Sequence, residues 1–180
     1  MSVRRLEGIP LVVLTGVENS GKTTLAEGMA SALNWDLIPE AARTDIRVVN
    51  GTVDRGHLQH MLERFNGHLS GLINTASKGI VCDTGALVLD MWSRSAFGKG
   101  LQGTEHTMGL AHLHLLCNTL PTWEPDPLRN MPQFADRIGL ESEYRERLTQ
   151  ADTVFCEIGA SEPPDRLTEA VRCIRHHCAP

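Results

Sequence analysis

Apolar runs alternate along this chain with segments in which apolar side chains return every three or four positions. Ile9 to Thr15 is a near-continuous apolar run containing β-branched residues, the pattern of a parallel strand covered on both faces. Gly16 ends it. From Thr23 to about Leu33, Leu25, Met29 and Leu33 recur at helical spacing with Ala26 and Ala30 on the same face, so a strand, a loop and a helix follow in order. A longer helix is predicted from about Asp54 to Ser77, because Leu58, Met61, Leu62, Phe65, Leu69, Leu72, Ile73 and Ala76 keep the three-then-four spacing. Gly67 and Gly71 weaken it by about 1 kcal/mol each relative to Ala.

"GIVCDT" at 79–84 reads as a strand ending in an acid, and a helical stretch follows from Ala86 to Phe97. Gly98, Gly100 and Gly103 loosen what comes next. "AHLHLLCN" at 111–118 reads as another strand, with His112 and His114 on one alternating face. Residues 119–137 contain four prolines, which forbid a long regular element. A stretch of this kind in a compact domain is a lid, a binding loop or disorder, and Trp123, Leu128, Met131 and Phe134 argue against simple disorder. Leu140, Tyr144 and Leu148 then mark a helix supported by the i,i+4 pairs Glu141/Arg145 and Glu143/Arg147. "TVFCEIG" at 153–159 is a last strand, and Leu167, Val171, Ile174 and Cys178 mark a closing helix. Strands alternating with helices predict a three-layer α/β fold, a mostly parallel sheet with helices on both faces.

A length of 180 residues suits one domain, 1–180, with a lid at about 119–137. The net charge of -5, with Lys and Arg dispersed, argues against a nucleic-acid surface. Small anionic ligands stay open. The opening "MSVRRLEGIPLVVLTG" weakly resembles a signal peptide, but Pro10 interrupts the run, which is too short for a membrane span and flows straight into a Gly-rich loop. No membrane partner is expected, and a homo-oligomer is left open. Of five Cys, Cys82, Cys117 and Cys156 fall in short apolar strands, and the odd count without close pairing favours reduced thiols and a cytoplasmic address. Cys173, His176, His177 and Cys178 suggest a metal, yet no second ligand cluster completes a tetrahedral set. His57, His60 and His68 read as surface or satisfied packing groups.

The chemistry-bearing feature is "GVENSGKTTL" at 16–25. Gly16, Gly21, Lys22 and Thr23 satisfy G-x-x-x-x-G-K-[ST] between a strand and a helix, the context that gives the pattern meaning. Glycines let backbone N–H groups turn inward around phosphates, and the helix start adds its positive dipole end. Lys22 is expected to reach the β- and γ-phosphates and the Thr23 hydroxyl to coordinate Mg²⁺. Asp83, at the carboxyl end of a buried strand, stands where open parallel sheets bind ligands. It would hold the Mg²⁺ hydration shell or accept a proton from an attacking hydroxyl; its alternative is a helix cap. Arg129 and Arg137 flank the lid and would close guanidinium groups over the γ-phosphate, unless they are solvated loop charges. Trp92 and Trp123 would stack on an aromatic ring or pack in the core.

Together "GVENSGKTTLAEGMA", "PEAAR" at 39–43, "CDTGALVLDMW" at 82–92, "DPLRNMPQFADR" at 126–137 and a late Gly followed by "DRLTEAV" resemble the P-loop kinase family typified by the ribosylnicotinamide kinase domain of NadR. The resemblance covers nearly the whole chain in the same order. It implies a nucleoside or nucleotide kinase fold, with ATP held by Gly16, Glu18, Asn19, Ser20, Gly21, Lys22, Thr23 and Thr24, and a nicotinamide riboside hydroxyl as acceptor. It implies an acceptor site near Glu40 and Arg43, where Glu40 would suit ribose hydroxyls and Arg43 a phosphate or carboxylate; a solvated pair at a helix start is the alternative. Gly159 and Arg166 would frame the adenine.

The family loop also carries an acid where Glu18 stands. A carboxylate beside a triphosphate is repelled unless it faces away or meets a cation, so Glu18 is expected to point out of the wrap and to pair with a lid Arg or orient the acceptor. One departure concerns the acceptor: related domains carry D-T-D where this chain has Asp83-Thr84-Gly85, and Asp90 lies one or two turns further on. Kinase chemistry survives this better than substrate identity. A regulatory ATP-binding module and an acceptor-independent ATPase stay open, while GTP is disfavoured because no clear N-K-x-D is present.

Overall fold

The computed structural model describes residues 9–76 and 78–178. The first apolar run becomes β1 (Leu11–Thr15), buried along its whole length, and α1 (Lys22–Leu33) follows the Gly-rich loop. Next come β2 (Asp36–Ile38), a single 3₁₀ turn at Ala41–Thr44, the one-turn helix α2 (Ile46–Val49) and the long helix α3 (Arg55–Ile73). The predicted end of that helix at Ser77 lies outside the described residues. Asp54 starts α3 by accepting a hydrogen bond from His57 N–H at 2.8 Å, and Leu58, Met61, Leu62 and Leu69 form its buried stripe. His57 also meets Asp45 at 2.9 Å, which ties the one-turn helix to α3, while His60 and His68 are exposed.

β3 (Ile80–Asp83) and α4 (Ala86–Phe97) fall where the apolar pattern places them. The helix α5 (Thr104–Met108) was not predicted. It is too short to show a period, and it forms because Thr104, Thr107 and Met108 are buried while Asp90 accepts hydrogen bonds from Leu101 N–H at 2.7 Å and the Thr104 hydroxyl at 3.3 Å. β4 (Leu113–Cys117), α6 (Phe134–Gln150), β5 (Phe155–Ile158) and α7 (Pro163–His177) complete the order. α7 opens on two prolines, whose fixed φ suits a first helical turn, and ends with Arg175, His176 and His177 against its negative dipole end.

All strands pair in parallel, in the order β2-β3-β1-β4-β5. Side chains of β1 alternate between two cores. Val12 and Leu14 pack with Leu25 and Met29 of α1 and Ala170 and Ile174 of α7. Leu11 and Val13 face Leu69 of α3, and beyond them α4 and α6 close a further cluster through Leu87, Met91, Tyr144 and Leu148. This is the predicted three-layer arrangement. Because the chain leaves β1 for β2 and β3 on one side and later crosses to β4 on the other, the loop after β1 stands at the topological switch point, where parallel sheets open a crevice at their carboxyl ends.

Two salt-bridge expectations divide. Arg145 meets Glu141 at 3.0 Å as predicted. Arg147 instead reaches Asp90 at 3.5 Å, because α4 brings a fully buried carboxylate within range. Asp90 is further held by Arg94 at 2.6 Å. It therefore secures the α4–α5 corner and does not supply the acid missing at Gly85. None of the five cysteines forms a disulfide among the described residues; Cys82 and Cys117 are buried and Cys156 is half-buried. Among the described residues no helix is long and apolar enough to cross a membrane.

Candidate active site

The loop from Gly16 to Gly21 takes its shape from residues in left-handed backbone. Gly16 has φ 138°, Asn19 57° and Gly21 72°. Gly16 is also a close approach: a Cβ there would stand 2.6 Å from the Cys117 carbonyl oxygen, so the loop lies directly on the end of β4. Ser20 Oγ donates to Val17 O at 2.7 Å, and Gly21 stands at the start of α1. Lys22 Nζ donates to the carbonyls of Gly16 at 3.0 Å and Val17 at 2.7 Å, so the ammonium sits inside the loop's own curve. Burial pushes its pKa down, and the carboxylates of Glu40, Asp83 and Glu18 oppose that shift.

At the end of β3, Asp83 is almost fully buried and its Oδ1 has no hydrogen-bond partner. Burial raises its pKa first; a hydrogen bond from Thr23 and the charges of Lys22 and Arg43 pull the other way, while Glu40 raises it further. A desolvated carboxylate oxygen without a donor is expensive unless a cation or a proton donor from a ligand completes it. The next residue, Thr84, is β-branched yet has φ 80°, and its hydroxyl is also buried without a partner. Strain of this kind persists where surrounding structure over-determines it and clusters at functional sites. Sequence reasoning passed over Thr84. Gly85 then packs so tightly that a Cβ would meet Val13 Cγ1 at 2.5 Å. The family's second acid has no room here while Val13 occupies that space.

Lys22, Thr23 and Thr84 open into a cavity of about 1090 Å³, while Asp83, buried and hydrogen-bonded to Thr23, is not part of its lining. Its walls include Gly16, Glu18, Asn19, Ser20, Gly21, Lys22, Thr23, Thr24 and Arg166 on the phosphate-loop side, and Glu40, Arg43 and Trp92 on the other, with Arg129 from the lid. Arg166 bridges two loops, donating to Ser20 O at 2.8 Å and Ala160 O at 2.7 Å. Gly159 N–H is bonded to Glu169 at 2.9 Å. On the far side Arg43 is held between Glu40 at 3.1 Å and Asp126 at 3.0 Å. Asp126 itself was missed in the sequence; an acid between two prolines reads only as a turn residue. It accepts from Leu128 N–H at 2.9 Å, which lowers its pKa before Arg43 adds to the effect.

The lid runs without regular structure to Gln133, and its predicted last residues, from Phe134, are already the first turn of α6. Arg129 donates to Asn19 Oδ1 at 2.8 Å and to Glu124 O at 2.6 Å. Glu18 meets neither lid arginine: its Oε1 accepts from Asn130 N–H at 2.8 Å and from Met131 N–H. The sequence pointed to the lid, and backbone donors, which no side-chain pattern announces, take the place of the expected cation.

Arg137 also departs from the sequence picture of a mobile lid cation. It is fully buried and lies outside the cavity wall, donating to Leu120 O at 3.0 Å, Met131 O at 3.0 Å and Pro132 O at 2.8 Å. Trp123 and Phe134 flank its guanidinium at 5.0 and 5.7 Å. Arg137 thus clamps the two ends of the lid together, and Trp123 is occupied in that clamp. Arg137→Ala is expected to destabilise the protein by about 3–5 kcal/mol, because three carbonyls lose a buried, charged donor. Urea unfolding of the variant checks this.

An AAA domain family model matches residues 11–166. No curated protein matches the chain in sequence. Among solved structures, a NadR protein in complex with NR superposes with a TM-score of 0.72 at 17% identity, covering 94% of this chain and 51% of that one. A NadR complex with NAD and AMP-PNP gives 0.68 at 17%, covering 94% and 49%, so the chain spans about half the length of these NadR chains. Deoxyadenosine kinase from M. mycoides with products dcmp and dcdp bound gives 0.66 at 11%, covering 92% and 99%. Thymidylate kinase from Candida albicans gives 0.64 at 17%, covering 93% and 92%. The strand–loop–helix phosphate site, the parallel sheet and the family match agree: the chain belongs to the AAA domain family and has the fold of the P-loop nucleoside and nucleotide kinases.

Proposed function

We propose that this protein is a phosphotransferase, moving the γ-phosphoryl group of ATP to a hydroxyl of a small acceptor, a nucleoside such as nicotinamide riboside. The observation that carries this reading is a lidded cavity lined by Lys22, Thr23 and Thr84, with the buried Asp83 carboxylate, one oxygen unpartnered, hydrogen-bonded to Thr23 and facing the Lys22 charge at its wall. A domain of 1–180 that works on small molecules in the cytoplasm is part of the same proposal.

Inward-facing amides from Gly16 to Thr24 cradle the triphosphate, and Lys22 shifts from its own loop carbonyls to the β- and γ-phosphates. Asp83 takes the proton from the acceptor hydroxyl as its oxygen bonds to the γ-phosphorus. The bond from that phosphorus to the bridging oxygen breaks, and ADP leaves with the bridging electron pair. The Thr23 hydroxyl and the Asp83 carboxylate are hard oxygen donors of the kind Mg²⁺ prefers, and the unpartnered Oδ1 fits a metal-bound water. When bound there, Mg²⁺ neutralises charge on the phosphates. Arg129 adds positive charge from the lid, and Arg166 fixes the loop that faces the base.

Electrostatics on the acceptor side favour a nucleoside over a nucleotide. Arg43, the cation nearest that half of the cavity, is already shared by Glu40 and Asp126, and Asp83 adds a third acid. A phosphorylated acceptor would be repelled by these acids, whereas a neutral ring beside Trp92 would not be and a cationic one would be attracted. ADP release across a panel of nucleosides, nucleoside monophosphates and vitamin ribosides tests this. Turnover is expected with nucleosides or ribosides and at least about tenfold less kcat/KM with monophosphates, roughly 1.4 kcal/mol of discrimination. A flat panel would transfer the assignment to a regulatory module or a plain ATPase.

A further inference from the structure

The two residues at the crown of the phosphate loop have side chains given over to the lid. Glu18 accepts from the backbone N–H groups of Asn130, at 2.8 Å, and Met131. Asn19 Oδ1 accepts from Arg129 Nη1 at 2.8 Å and Glu124 N–H at 3.2 Å, while its Nδ2 donates to Thr122 O. Five hydrogen bonds thus join residues 18–19 to residues 122–131. Asn19 sits at φ 57°, a backbone conformation that Asn tolerates better than most residues. On the opposite rim a single ion pair, Arg43 to Asp126, ties down the same segment.

We propose that Glu18 and Asn19 are positioning residues that latch the lid to the phosphate loop, so that ordering the loop and closing the lid are one event. This rests on the phosphotransferase reading above. The charge argument explains why an acid is tolerated there: two backbone donors neutralise the Glu18 carboxylate without drawing a cation away from the triphosphate. The latch sets Arg129 beside the cavity and holds water out of it. A loosened latch therefore admits water as a competing acceptor and raises ATP hydrolysis relative to transfer.

The test uses Glu18→Ala and Asn19→Gly, singly and together, with Glu18→Gln as the conservative control. Glycine is chosen at 19 because it accepts the left-handed backbone, so any effect reports the lost carboxamide. The first readout is tryptic cleavage after Arg129, at the peptide bond whose N–H Glu18 holds. Cleavage in the double variant is expected to accelerate by roughly tenfold or more, equivalent to about 1.4 kcal/mol of lid opening. The second readout is the ratio of ATP hydrolysed to phosphoryl transferred, which rises in both alanine and glycine variants and returns towards wild type in Glu18→Gln, since one acceptor oxygen remains. Unchanged cleavage in the double variant overturns the latch, and so does faster cleavage with an unchanged ratio. If the wild-type protein transfers phosphoryl to no acceptor, the phosphotransferase reading fails, and cleavage after Arg129 still decides whether the latch exists.

Discussion

Lys22→Ala is expected to lower kcat for phosphoryl transfer by about 10²–10³-fold, the loss typical when one preorganised donor to developing charge is removed. Its ammonium lies within the loop's curve on the carbonyls of Gly16 and Val17, so it is positioned before any phosphate arrives. The fold should survive. Burial lowers the pKa of Lys22, which means that carrying the charge costs the native state free energy. For a lysine with a lowered folded pKa this penalty is present below that folded value, shrinks as pH rises above it and disappears above the unfolded one. Loss of the two hydrogen bonds opposes the gain from removing the charge, and the melting temperature should stay near the wild-type value. Steady-state kinetics with a thermal melt on the same preparation check both halves; full turnover in the variant would remove Lys22 from the mechanism.

Asp83→Asn is expected to lower kcat by about 10²–10⁴-fold, the range for loss of a positioned general base. It should also melt at or above the wild-type temperature. The carboxyl is raised in pKa by burial first and by Glu40 in addition, against the pull of Thr23, Lys22 and Arg43. A carboxyl with a raised folded pKa destabilises the native state when ionised: the penalty is absent below the unfolded pKa and grows as pH rises through the folded one. Above the unfolded pKa the wild-type protein bears this penalty, and Asn removes it. The same shift places the acid limb of kcat/KM above the ordinary carboxylate range, with rate falling as pH drops through the Asp83 pKa in the free enzyme. A pH profile of both proteins is decisive, because the limb should vanish in Asp83→Asn. A variant that loses stability and keeps its acid limb would make Asp83 a structural cap.

Much of the fold was legible because its signals are periodic and local. β1, α3 and α4 each repeat an apolar spacing long enough to distinguish strand from helix, and all three formed within a few residues of the predicted bounds. α5 was not legible, since five residues carry no period and its stability comes from the buried carboxylate of Asp90. Arg137 was misplaced for a related reason. A guanidinium in a proline-rich stretch reads as solvated or mobile, and only the neighbouring carbonyls of Leu120, Met131 and Pro132 turn it into a buried clamp.

The candidate site divides in the same way. Gly16, Gly21, Lys22 and Thr23 lie in one short loop, so their relation is covalent and the sequence alone specifies it. The position of Asp83 at the end of β3 was legible because strand ends are predictable from apolar runs. Which groups face them across the cavity depends on contacts more than eighty residues apart: Arg43 on Asp126, Glu18 on Asn130, Asn19 on Arg129.

By itself, then, the sequence determined an alternating parallel α/β order and a phosphate-binding loop at its first turn, since both follow from side-chain spacing along a few residues. Only the tertiary structure decided the partners of the loop's acid, the burial of Arg137 and the strain at Thr84. It also placed Val13 in the space a second acid at position 85 would need. Those outcomes are set by desolvation and close packing, which exist only after distant segments have met.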